Sequence, residues 1–319
     1  MNKKISVVMS AYNEPERFLR ESIESILNQT YRDFEFIIIQ DKPDNETIER
    51  VVNEYAAKDD RIRFYKNEKN IGLAMSLNRG IELARYDIIA RMDADDISLP
   101  ERFEKELAYL EEHPQYHMIT PNRIGIDENG NEIRSLLNFP ENFDNLNRKE
   151  AFMDLIQHSG VVFFKRDLME VGCYRNFPAA QDRDLWLRYL TNNWAIGFQN
   201  ECLLKYRFSP NNTTTLNALR QWVCIKYALE LFRERKKKNK DSFSEEILKK
   251  KLDMAGCNSL SSKQRFIKGR SLIFEGGTAL RKHNYFKVLI NVVKAFFMHK
   301  KMPAFIYYAM YNKIFRDGF

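Results

Sequence analysis

Three segments of this 319-residue chain carry side chains whose types and spacing suit chemistry on a charged substrate. The sharpest is Met92-Asp93-Ala94-Asp95-Asp96. Three carboxylates within four residues repel one another and cost stability unless a cation neutralises them. Hard divalent ions take carboxylate oxygens and often complete their shell with substrate phosphate. The alternative is a solvated acidic turn leading into a helix near Pro100, since Asp is common at helix entries. Its position after a buried apolar strand favours the metal. The other two segments are Ser10-Ala11-Tyr12-Asn13-Glu14 and Gln40-Asp41, each also following an apolar run.

These segments need elements that bring them together. Residues 5–10, 34–39, 62–65 and 86–91 are short, β-branched or aromatic runs and read as buried strands. Between them, residues 17–28, 47–58 and 73–84 place apolar side chains at helical spacing, and 101–112 follow as a helix with Pro100 at its first turn. Repeated β-α-β units imply a mostly parallel sheet with helices on both faces. Ligands of such sheets bind outside the carboxyl ends of the strands, where all three segments fall. Beyond Pro114 the pattern loosens: strands are expected at 124–130 and 160–165 and a helix at 182–190. From about Thr213 only helices are expected, at 216–235, 244–255, 263–282, 286–299 and 304–315, with a boundary near residues 209–213.

The segments SVVMSAYNE, FIIIQD, NIGLAMSLNRGIELA and YDIIARMDADDISLPERFEKEL occur in that order. Together they resemble the nucleotide-sugar domain of the family-2 glycosyltransferases. QHSGVVFFKRDLMEVGCYR and AAQDRDLWLRYL resemble that family's later motifs. The resemblance spans residues 4–208. A lone D-x-D is weak evidence; six motifs in order are specific. The resemblance implies an α/β GT-A fold, Rossmann-like and mostly parallel, over residues 1–210. Within it, about 1–114 would bind the nucleotide sugar and about 115–210 would carry the acceptor and base region. Residues 211–319 would form a basic helical C-terminal region.

The same resemblance implies roles. Ala11, Tyr12 and Asn13 would contact base and ribose, and Asp41 would hydrogen-bond the base, commonly uracil. The family's usual Asp-Asp/Gly-Ser is here Asp41-Lys42-Pro43, a departure beside the base pocket. Asn70, Gly72 and Asn78 match donor-side motifs. Asp95 would ligate Mn²⁺ or Mg²⁺, with Asp93 beside the metal, ribose or donor sugar. The family's base motif is usually Glu-Asp; here it is Gln181-Asp182. Gln181 cannot accept a proton, so Asp182 is the expected general base of an inverting transfer. Asp182 could also cap the helix carrying Trp186. Asp184 is the next candidate base, and Asp184 and Trp186 are expected on the acceptor side. His158, at the family's His-x-Ser/Gly position, is either structural or near the acceptor or metal. The implied partners are a nucleotide-sugar donor, UDP-linked by preference, and a glycan or lipid-linked acceptor in bacterial surface polysaccharide synthesis.

Charge divides the chain. Residues 211–319 hold 23 Lys+Arg against 8 Asp+Glu, a net of +15, while residues 1–210 hold 28 against 36, a net of −8. A basic helical half suits an anionic membrane surface or phosphorylated acceptor, and an oligomer contact is open. Nucleic acid is disfavoured, because no recognition motif accompanies the charge. Lys287, Lys294 and Lys301, seven apart, fall near one helix face, and Phe286, Leu289, Val293 and Phe297 on another. Either that apolar side packs on the catalytic region or the helix lies on a bilayer. Pro303 is expected to end or bend this helix. No apolar run reaches the roughly 20 residues of a spanning helix, and the N-terminal run is too short for a signal peptide. The expected location is cytoplasmic, peripheral on the inner membrane face. Cys173, Cys202, Cys224 and Cys257 form no C-x-x-C pair and read as buried thiols in a reducing compartment. A nucleotidyltransferase would need a Gly-rich basic loop after the first strand, which SAYNEPERF lacks. A non-catalytic sugar-binding protein would not need the carboxylate at Asp182.

Overall fold

Strand β1 (Ile5–Ala11) is apolar and buried on both faces, as a central strand covered by helices must be. It pairs in parallel with β2 (Phe34–Gln40) on one side and β4 (Ile88–Asp93) on the other. Strand β3 (Ile62–Lys66) extends the sheet beyond β2, also in parallel. The connections are α1 (Glu16–Leu27), α2 (Glu46–Ala56) and α3 (Leu73–Leu83). Asn45 caps α2 by accepting from the Ile48 N–H, and Leu19, Ile23 and Ile26 bury the apolar stripe of α1. This computed structural model describes residues 3–135, 156–208 and 216–317. The chain divides into two compact units, Met1–Ser209 and Pro210–Phe319. The boundary segment expected at 209–213 lies outside the described residues.

The sheet continues from its parallel part into a mixed part. After β5 (Ile97–Ser98) and α4 (Arg102–Glu112) come β6 (Tyr116–Ile126), β7 (Glu132–Ser135) and β8 (Val162–Phe164). Helices α5 (Lys165–Glu170) and α6 (Gln181–Thr191) precede β9 (Ala195–Arg207). The strand order is β3-β2-β1-β4-β8-β6-β9-β5, with β7 beside β6. β8 runs antiparallel to β4 and to β6, whereas β9 is parallel to β6. The expected α/β sheet is thus present, its parallel nucleus widened by antiparallel strands.

Two differences from the expected elements have local causes. β6 begins at Tyr116, well before the expected start at 124. Pro121 hides it, because proline is normally excluded from ladder interiors. Here the register against β9 shifts at Pro121/Asn122, so the missing N–H falls at an irregularity. β9 was not expected at all: its Gln199-Asn200-Glu201 stretch interrupts any apolar period.

Helix α3 sits unusually close to the sheet. A Cβ at Gly80 would lie 2.5 Å from Val8 Cγ1, a short branched side chain fixed in the central strand. Gly80→Ala is therefore expected to lose about 1–3 kcal/mol by overpacking, outweighing the helix-propensity gain of about 1 kcal/mol. Urea unfolding of the two proteins measures this; an unchanged or raised midpoint would mean that α3 can move away at no cost.

The second unit is helical throughout its described residues: α7 (Ala218–Lys238), α8 (Glu245–Ala255), α9 (Leu260–Arg281), α10 (Tyr285–Met298) and α11 (Met302–Asp317). Leu219, Trp222, Val223, Phe266, Ala295 and Met302 form its core. The basic run at 233–240 is a helix end with exposed Lys236, Lys237 and Lys238, which suits the negative end of the helix dipole. Pro303 corrects an expectation: it stands in the first turn of α11, where a missing N–H is harmless, and α10 ends before it. No helix among the described residues is long and apolar enough to cross a membrane. All four cysteines are free; Cys224 and Cys257 are buried, but Cys173 and Cys202 are only half-buried.

Candidate active site

Register carries the three segments to one edge of the sheet. Ala11 lies opposite Gln40 and Ser10 opposite Asp93, so β1, β2 and β4 end together. Strand order also reverses at β1, because β2 lies on one side of it and β4 on the other. Such switch points open a crevice at the carboxyl edge.

On the β1–β2 side, Tyr12 and Asn13 are exposed. Lys42 Nζ donates to Asn13 Oδ1 at 2.8 Å, and Asn45 Nδ2 donates to the Tyr12 carbonyl at 3.3 Å. The departure at Lys42 therefore places a cation on the same loop. Asp41 is buried and holds the entry to α3: Asn67 Nδ2 (2.8 Å), the Ile71 N–H (2.9 Å) and the Gly72 N–H (2.9 Å) all donate to it. Asn70 Oδ1 also accepts from the Gly72 N–H, at 3.0 Å. Gly72 has φ +84°, which a Cβ would oppose.

Asn78 is not an open donor contact. Its amide donates to the Tyr174 carbonyl at 2.8 Å and accepts from the Tyr174 N–H at 2.9 Å. Both ends are thus spent tying α3 to the segment before α6.

At the end of β4 the ligand oxygens of Asp93, Asp95 and Asp96 lie within 4.8 Å of one another. Asp96 lies outside the D-x-D pair Asp93 and Asp95. Its Oδ1 accepts from the Arg207 N–H at 2.8 Å, and its buried Oδ2 has no hydrogen-bond partner among the described residues. Burial, then the Asp93 charge, pushes its carboxyl up to about 7. Burial and repulsion from Asp96 and Asp93 raise Asp95 well above the usual carboxylate range. Glu14 is also raised, mainly by burial and further by Asp93. An orphaned buried oxygen in an all-oxygen, mutually repelling set fits a hard divalent cation.

The turn itself is clamped. Ser22 Oγ donates to the Asp93 carbonyl at 2.8 Å, and Arg207 Nε to the Asp95 carbonyl at 2.8 Å. Arg91 lies fully buried beside it, paired through Nη2 to Asp93, while its Nε and Nη1 find no hydrogen-bond partner among the described residues. The sequence signal for this residue is a guanidinium set between the apolar run Ile88-Ile89-Ala90 and Met92.

On the other side, α6 opens after Ala180 in the left-handed region (φ 55°). Asp182 is half-buried in its first turn and accepts from the Arg183 N–H at 2.8 Å. It is therefore inside the helix, and the N-cap position belongs to Ala180. His158 Nε2 lies 2.8 Å from the Tyr174 hydroxyl, with its ring edge-on to Trp186 at 5.9 Å. Burial, then the Arg91 charge, pushes His158 well below the usual imidazole range, so it is neutral. Tyr174 is the common neighbour. Burial raises its phenol, and the charges of Arg91, Asp182 and Asp93 all act on it.

Asp184 and Trp186 are corrected. Asp184 is completely buried, 2.9 Å from Arg188 and 3.7 Å from Arg175. Arg188 in turn donates to the carbonyls of Val171 and Cys173, so Asp184 anchors the loop before α6 internally. Trp186 is fully buried behind His158 and offers the acceptor no surface.

Likeness to known proteins agrees with this geometry. The chain is 37% identical over 231 residues to the O-antigen biosynthesis glycosyltransferase WbnJ of Escherichia coli, covering 72% of this chain and 88% of that one. It is 29% identical over 236 residues to the UDP-Gal:alpha-D-GlcNAc-diphosphoundecaprenol beta-1,3-galactosyltransferase of Escherichia coli, covering 71% and 80%. A crystal structure of S. aureus TarS 1-349 superposes with a TM-score of 0.59 at 16% identity, covering 98% of this chain and 88% of that one, a likeness of fold. Residues 6–172 match Glycosyl transferase family 2. A strand-end crevice with a carboxylate cluster, on a chain matched over more than half its length, makes this protein a glycosyltransferase of family 2.

Proposed function

We propose that this enzyme transfers a sugar with inversion from a UDP-sugar to a hydroxyl of a glycan or lipid-linked acceptor, in the synthesis of a bacterial surface polysaccharide. The observation that carries the reading is the Asp93, Asp95 and Asp96 cluster at the carboxyl end of β4, where β1 and β2 also end. Asp182, half-buried in the first turn of α6, is the carboxylate this reading assigns to the acceptor, as a two-substrate site needs.

In this reading Tyr12 and Asn13 line the base and ribose, Ala11, fully buried at the end of β1, only positions them, and Asp41 and Asn70 shape the loop through Gly72. Lys42 adds positive charge where the nucleotide enters. Asp95, Asp93 and Asp96 would hold Mn²⁺ or Mg²⁺, which would supply charge neutralisation to the departing diphosphate. Asp182 takes the proton from the acceptor hydroxyl as that oxygen attacks the anomeric carbon from the opposite face. Neutral His158, fixed on Tyr174, orients rather than ionises. Asn78 acts through Tyr174, keeping the helix side in step with α3.

The E. coli relative whose name includes a diphosphoundecaprenol-linked sugar supports a lipid-linked acceptor. The test is nucleotide release from a panel of nucleotide sugars with Mn²⁺ or Mg²⁺, followed by NMR of the product's anomeric centre. UDP-sugar turnover with a β-linked product from an α-linked donor is expected. Turnover confined to another base would remove the UDP assignment, and a retained configuration would remove Asp182 as base.

A further inference from the structure

Helix α10 is built inside out for a soluble protein. Its two buried residues are polar or small, Asn291 and Ala295, with Val292 and Met298 partly buried against the same core, and a Cβ at Gly276 of α9 would stand 3.7 Å from Asn291 Cβ. Most of its aromatic and large apolar residues point the other way. Phe286 is 76% exposed, Leu289 62%, Val293 48% and Phe297 80%, with Tyr285 and Phe296 also exposed. At 100° per residue these six fall within one sector of the helix. Lys287 and Lys294 are exposed along one border of that sector. An ordinary amphipathic helix buries its aromatic side; this one presents it, and contiguous exposed apolar surface marks an interaction site.

The geometry points to an anionic lipid bilayer as the occupant of this face, with Phe286, Leu289, Val293 and Phe297 entering the headgroup–acyl boundary and Lys287 and Lys294 meeting lipid phosphates. Charge selects the lipid over a second copy. Residues 211–319 carry 23 Lys+Arg against 8 Asp+Glu, so two copies meeting face to face would bring like charge together. An anionic surface is instead complementary to the lysine border. Aromatic side chains on one sector and lysines beside it are what an interfacial helix requires. The inference is compatible with the lipid-linked acceptor proposed above but rests on this surface alone.

The test is co-sedimentation of the full chain with phosphatidylcholine vesicles, with and without phosphatidylglycerol, at low and high salt. Binding should require phosphatidylglycerol and weaken with salt. The double variants Phe286→Glu/Phe297→Glu and Lys287→Glu/Lys294→Glu should each weaken it by about tenfold or more. These side chains are exposed, so thermal melts should match the parent and separate lost binding from lost folding. Three results would each overturn the inference: no binding by folded protein at low salt, a Phe286/Phe297 variant that binds like the parent, or self-association abolished by that variant without vesicle binding. None of them bears on donor turnover, so a failure here is distinct from a failure of the proposed activity.

Discussion

Asp95→Ala is expected to abolish sugar transfer in the presence of Mn²⁺ or Mg²⁺ while leaving the fold intact. The side chain lies at a strand end beside two other carboxylates and supports no core. Several kcal/mol of charge stabilisation on the departing diphosphate corresponds to a loss of roughly 10³-fold or more. A second readout needs no turnover. Asp96 has a folded value of about 7, raised above its unfolded value. Its contribution to stability is full below the unfolded range and is lost as pH rises through about 7. Asp95 is raised too and acts with the same sign. Metal-free protein should therefore lose stability on passing from acid to neutral pH, and added divalent ion should raise its Tm by mass action. Asp95→Ala should lose most of the metal-induced rise. Near-normal transfer by Asp95→Ala, with the metal-dependent rise in Tm intact, would remove the cation from this turn.

Asp182→Asn is expected to lower the rate of transfer by roughly 10²–10⁴-fold, the usual share of a general base. The amide keeps the volume and can still accept from the Arg183 N–H, so α6 should start as before. Donor affinity, measured by calorimetry with the nucleotide sugar or diphosphate, should change little, because the role proposed for Asp182 is toward the acceptor hydroxyl. Lost donor binding would make Asp182 a structural residue, and an unchanged rate would move proton transfer to another group. Asp184 does not qualify as that group, being buried against Arg188 and Arg175.

What could be read in the residues follows how local each feature is. The parallel strands announce themselves because both faces are buried, leaving unbroken apolar runs such as residues 36–39. The Asp93–Asp95–Asp96 group is legible because its members are neighbours in sequence. β6 and β9 were obscured because they pair with each other through register shifts, and no local pattern encodes an irregular long-range pairing. Asn78 has the residue type of a substrate contact and the wrong partner: 96 residues later, Tyr174 takes both ends of its amide. Arg91 is the instructive omission. It stands two residues before Asp93 in a run otherwise fit for the core, and only the folded chain shows which carboxylate makes its burial tolerable.

The in-register ending of β1, β2 and β4 has a consequence for how this chain can diverge. The opposed residues at these ends, Ser10 with Asp93 and Ala11 with Gln40, make the sheet's hydrogen-bond ladder the ruler of the crevice. One residue added or removed inside any of these strands would shift its end by about 3.3 Å and send each side chain to the opposite face. One corner of the crevice would then be displaced while the others stayed put. Residues added after the strand ends leave the ruler untouched. Length variation among descendants of this sequence is therefore confined to the segments that follow the strands, so new donors and acceptors are explored there while the spacing of the charged groups is inherited.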